Sequence, residues 1–109
     1  MAIDWIATLR EQGDITKRLA KDVPMALSDT SLTLDQASRL NGIVENGSKA
    51  FDRIVVDMQE HDLDASLFEA ADALENIWCE LSVATANKVR SMQGLTPIGR
   101  VRPEYDDEY

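Results

Sequence analysis

The sequence predicts an all-α fold: a small helical bundle built on a long antiparallel helical hairpin, with a shorter N-terminal helix, and completed by dimerisation. Three observations predict it. Ala37, Leu40, Val44, Gly47, Phe51, Ile54 and Met58 recur in alternating steps of three and four, an uninterrupted heptad seam. Leu67, Ala71, Leu74, Trp78 and Leu81 repeat the pattern after a short break. Glycine and proline are sparse, at five and three in 109 residues, and the stretch GIVENGSKAF lacks the alternation a strand needs.

The first helix is expected over about residues 3–22. Ile3, Ile6, Ala7 and Leu9, with Trp5 nearby, supply one apolar face, and Ile15, Leu19 and Val23 continue it. Gly13 reads as a kink, with Asp14 a candidate cap for the second half. Pro24 is expected to stop the helix, because it cannot donate a backbone hydrogen bond and disfavours helical geometry just before it.

The second helix is expected over 34–61. Thr33 and Gln36 have the spacing of a capping box, which starts the helix at Leu34. The segment NGIVENG, residues 41–47, contains two Asn-Gly dipeptides, each a strong hairpin-turn signal. The seam runs through both, and neither flank offers a strand, so the helix is expected to continue. Each glycine costs roughly 1 kcal/mol against alanine in a helix. Gly47 lies on the seam, where a missing side chain lets a neighbouring helix or a large aromatic approach. Gly42 lies off it and is the weaker point. Ile43, Ala50 and Val55 broaden the apolar face.

The third helix is expected over 65–93, capped by Asp62 or Asp64 and ended by Gly94 and Pro97. Ala70, Ala73, Ile77, Ala84 and Val89 form a second apolar side, as for an element packed by two neighbours. The two long helices make a hairpin roughly 40 Å long at about 1.5 Å per residue. Residues 1–94 form one domain. Residues 95–109 read as an extended acidic tail. Gly47, Phe51 and Trp78 are the expected helix-packing residues.

A formal charge of −9 and a pI near 4.4 oppose direct binding to nucleic acid or anionic membrane and favour a basic protein surface. The one cysteine, Cys79, fits a reducing compartment, and no signal peptide or spanning segment is legible, so a cytoplasmic location is expected. There is no nucleophile–histidine–acid pattern, no CxxC pair and no Gly-rich phosphate loop.

Asp57, Glu60 and His61 close the second helix, and Glu69 and Asp72 open the third, so the hairpin brings them together. Carboxylates spaced by three on facing helices are how bundles hold divalent metals. This layout resembles the acidic pairs of the all-α nucleoside triphosphate pyrophosphatases, the MazG-like and dimeric dUTPase families. The resemblance implies magnesium held by these residues. The sequence departs from that pattern: the pairs lie closer together, one glutamate is an aspartate, and no lysine or asparagine follows in frame for phosphate.

The leading expectation is a non-enzymatic interaction module without cofactor: an adaptor, accessory or inhibitor of the compact acidic helical kind frequent among phage and mobile-element proteins. The alternatives are the metal-dependent pyrophosphatase and a nucleic-acid mimic that blocks a basic protein. Residues 34–64 hold seven acids against three bases, and residues 1–33 five against four, fewer single-sign runs than mimicry prefers. Candidate partner contacts are Trp5, if exposed, and Tyr105, Asp106, Asp107, Glu108 and Tyr109 of the tail.

Overall fold

The computed structural model describes residues 3–98. They form three helices: α1 (Trp5–Leu27), α2 (Leu34–Gln59) and α3 (Ala65–Met92). The fold is the all-α hairpin with a shorter N-terminal helix.

α1 begins where the Asp4 carboxylate accepts from the Ala7 amide at 3.0 Å. It runs unbroken through Gly13, with no second cap at Asp14, and continues through Pro24 to Leu27. The expected stop at Pro24 is therefore wrong by a turn. The proline withholds a bond only from the Ala20 carbonyl, and both residues are exposed, so water can serve that group. Val23 is buried alongside, and the Ser28 amide bonds the Pro24 carbonyl at 3.1 Å, which holds the last turn.

The expected apolar face of α1 is also corrected. Ile3, Ile6, Ala7 and Ile15 are exposed, and the buried residues are Leu9, Thr16 and Val23, seven apart. Thr16 is tolerated in the core because its hydroxyl lies 3.0 Å from the Gln12 carbonyl and 3.1 Å from the Gly13 carbonyl.

α2 opens with the capping box in full: the Gln36 amide donates to Thr33 Oγ1 at 3.1 Å, and the Thr33 amide to Gln36 Oε1 at 3.0 Å. The helix passes both Asn-Gly dipeptides without a break. Its buried residues, Ala37, Val44, Phe51 and Met58, lie seven apart. It ends at Gln59, two residues before the expected end at His61, which lies exposed in the bend that follows.

α3 starts at the Asp64 position, whose carboxylate accepts from the Ser66 hydroxyl at 3.2 Å and not from a backbone amide. Ala71, Trp78 and Thr85, again seven apart, are buried together with Leu81. At its far end Gly94 takes φ +78°, which only glycine adopts freely. The Gly94 amide bonds the Ser91 carbonyl at 3.0 Å and the Leu95 amide the Arg90 carbonyl at 2.7 Å, a Schellman ending.

A buried residue every seventh position on all three helices is the pattern of left-handed helix packing. α3 packs against both α2 and α1, while α1 and α2 meet little. The wide apolar arc of α3 serves this double duty. α2 runs antiparallel to α3: Gly47 meets Trp78, and Asn41 meets Thr85. α1 runs parallel to α3, with Leu9 near Leu67 and Leu74, and Leu27 near Ile77 and Ala84. The start of α1, the end of α2 and the start of α3 therefore share one end of the bundle.

Candidate functional site

That shared end is where the charge of the molecule collects. The first two turns of α1, the last two of α2, the bend and the first three turns of α3 comprise residues 4–11 and 52–75. They carry Asp4, Glu11, Asp52, Asp57, Glu60, Asp62, Asp64, Glu69, Asp72 and Glu75 against only Arg10 and Arg53, a formal −8. The other described residues carry six acids and seven bases, a formal +1. Most of this asymmetry is legible along the chain, because residues 52–75 alone carry eight of the ten acids against Arg53. The fold sets residues 4–11 beside them.

An apolar groove opens at this acidic end. Ile6 and Leu9 of α1 and Leu67, Ala70, Ala73 and Leu74 of α3 line a cavity of about 420 Å³, with Arg10 the one charged residue of the lining. Ile6 is 59% exposed, and Ile3, at 51%, lies one turn before it. Ile6 was expected in the core and Ala70 and Ala73 on a second packing side. α1 turns its seam of Leu9, Thr16 and Val23 inward and leaves Ile3 and Ile6 at the surface. The alanines, too short to close the surface, leave the groove between them.

Trp5 is half-buried against the core, its ring edge-on to His61 with centroids 5.7 Å apart and planes at 60°. It ties α1 to the bend after α2; Trp5 was a candidate contact only if exposed, and it is half-buried. The His61 ring is fixed a second time: its Nδ1–H donates to the Asp57 carbonyl at 2.9 Å. Phe51 and Trp78 are buried, as helix-packing residues should be. Tyr105, Asp106, Asp107, Glu108 and Tyr109 lie outside the described residues.

Asp57, Glu60, His61, Glu69 and Asp72 all lie at the acidic end, and all are exposed. Among the described residues no three of His, Cys, Asp or Glu stand close enough together to hold a metal ion. The five residues of the pyrophosphatase resemblance thus share an end of the bundle without converging on a point. Cys79 is half-buried. Among the described residues no helix is long and apolar enough to cross a membrane.

No protein-family model matches this chain, and neither a curated protein nor a solved structure matches it significantly.

Proposed function

We propose that this protein is a binding module that engages a basic protein surface through its acidic end, with the Ile6–Leu67–Ala70–Ala73 groove as the apolar anchor site. The observation that carries the reading is the coincidence of the two features. Ten of the sixteen described acids lie at the end of the bundle where the apolar groove of about 420 Å³ opens. Charge steers a basic partner to this end and fixes its orientation, while burial of an apolar side chain in the groove supplies slow dissociation. A protein partner fits better than simple imitation of nucleic acid, because a phosphate backbone offers nothing to place in such a groove.

A second copy of the chain is the competing occupant. Pairing this end with itself would bring two surfaces of formal charge −8 together, which favours the basic partner. A homodimer built on another surface is compatible with the reading.

The test begins with cross-linking capture of partners in the native host, followed by titration of the purified pair. Ala70→Arg, at an exposed helical position, fills the groove mouth without touching the core. A loss of affinity of about a hundredfold, equivalent to roughly 2.8 kcal/mol, is expected. Unchanged affinity would remove the groove from the account. Light scattering of both proteins alone shows whether the same substitution alters the oligomeric state, which would assign the groove to a second copy.

A further inference from the structure

The groove at the acidic end has a counterpart. A second groove, of about 260 Å³, opens between α1 and α3 toward the other end of the bundle. The two are one geometric site repeated two heptads along the same face. Ile6, Leu9 and Ala70 of the first groove recur fourteen residues on as Ala20, Val23 and Ala84 of the second. Fourteen helical residues cover about 21 Å. Leu9 and Val23 are buried at the floors, while Ile6, Ala20, Ala70 and Ala84 are exposed at the rims. The register holds between the grooves as well. Ile77 lies seven residues from both Ala70 and Ala84, and Gly13 seven from both Ile6 and Ala20. The space above Gly13 is open: a Cβ there would meet nothing across the seam within 4 Å.

Given the acidic end as the partner-binding end, on which the inference rests, we propose that this face seats an amphipathic helix of the partner. The helix lies along α1 and α3 as a fourth helix, with one apolar anchor in each groove. Its basic residues are confined to the half over the acidic end. A helix fits the repeat. In left-handed packing one face of a helix returns every two turns, so side chains fourteen positions apart meet sites two heptads apart. Ala20, Ala70 and Ala84 are short enough to let the backbones approach. An extended segment does not fit. Its amides and carbonyls would lie on an apolar seam, and the described residues offer helices and no strand edge to receive them. Charge sets the pattern along the partner helix. The acidic end carries a formal −8 and the other described residues +1, so bases gain at the first groove and not at the second.

The test is an NMR titration of the full chain with a synthetic three-heptad helical peptide. The peptide carries leucine at its a and d positions and lysines only in its first heptad. It is expected to shift the amides of Ala70 and Ala73 at one groove and of Ala20 and Ala84 at the other. A second peptide, with the leucines of the last heptad changed to glutamine, is expected to bind about tenfold or more weakly and to shift the first groove alone, as for the loss of a buried leucine. Ala84→Arg, at an exposed helical position, is expected to weaken the first peptide to the level of the second. Equal binding of the two peptides, with shifts at the acidic groove alone, would overturn the proposal and leave the acidic end standing as the binding end. Shifts at neither groove would overturn both. A change in the mass of the free protein on Ala84→Arg, read by light scattering, would also overturn the proposal, because the face would then belong to a second copy.

Discussion

Gly47 and Trp78 are in contact because Gly47 has no side chain. A Cβ at Gly47 would stand 2.5 Å from Trp78 Cη2 and 2.7 Å from Cζ3, closer than carbon atoms pack. Trp78 is almost fully buried between α2 and α3, and the flat indole lies across the gap in the α2 seam. The second Asn-Gly dipeptide is therefore a packing device inside a helix.

Gly47→Ala is expected to destabilise the fold. Forcing the indole aside costs about 1–3 kcal/mol, against a gain of about 1 kcal/mol in helix propensity. The net loss, up to about 2 kcal/mol, is read as a lower urea midpoint with an unchanged slope.

Gly42→Ala has the opposite sign. Nothing lies within 4 Å of a Cβ at this position, so the substitution keeps the propensity gain. Stability is expected to rise by about 0.5–1 kcal/mol in the same urea titration. A decrease would mean that the helix is strained at its first Asn-Gly dipeptide.

Thr85→Val tests the polar tie between α2 and α3. The Thr85 hydroxyl, buried, donates to Asn41 Oδ1 at 2.9 Å, with the Leu81 carbonyl at 3.0 Å as the alternative acceptor. Valine keeps the shape and removes the bond. A loss of about 1 kcal/mol is expected, and it should vanish in an Asn41→Ala background if the tie is the cause.

Gln12→Leu addresses a buried polar atom. Among the described residues, Gln12 Oε1 and Trp78 Nε1 are buried without hydrogen-bond partners. An unmade bond costs about 1–3 kcal/mol, so an apolar side chain at position 12 is expected to raise the melting temperature. A fall would show that the amide has a partner in solution, such as a water molecule.

The fold alters the titration of Asp29. The Ser31 amide and hydroxyl both donate to its Oδ1, at 2.9 and 2.8 Å, and hold its pKa below the ordinary aspartate value. A carboxylate with a lower pKa in the folded state contributes stability above its unfolded pKa, and that stability is lost as pH falls through the folded value. NMR titration should place Asp29 below Asp of a model peptide, and Ser31→Gly should raise it by removing the hydroxyl contact.

These residues also show what the sequence makes legible. The α2 seam is readable because its periodicity outlasts the turn signals laid over it, and Thr33 with Gln36 marks its start locally. The approach at Gly47 follows from register alone, but its partner, Trp78, needs the pairing of α2 with α3. α1 is misread because Ile3, Ile6 and Ile15 outweigh Thr16 in any count of hydrophobicity, although Thr16 occupies the buried position. Its hydroxyl is satisfied by its own helix, a bond that hydropathy does not record. Pro24 misleads because its cost depends on whether the carbonyl it orphans faces water. The acidic end is largely legible in residues 52–75, which carry eight acids against Arg53, and topology adds only residues 4–11 and the groove beside them.

Binding through the acidic end is tested by the salt dependence of affinity between the purified protein and its captured partner, wild type against Glu69→Lys/Asp72→Lys. Both positions are exposed at the acidic end, so the fold tolerates the reversal. Wild-type affinity is expected to fall by about tenfold or more as salt shortens the screening length from roughly 10 Å to 3 Å, and the charge-reversed variant to bind weakly throughout with a flattened salt response. Equal affinity and equal salt dependence for the two proteins would contradict binding through this end.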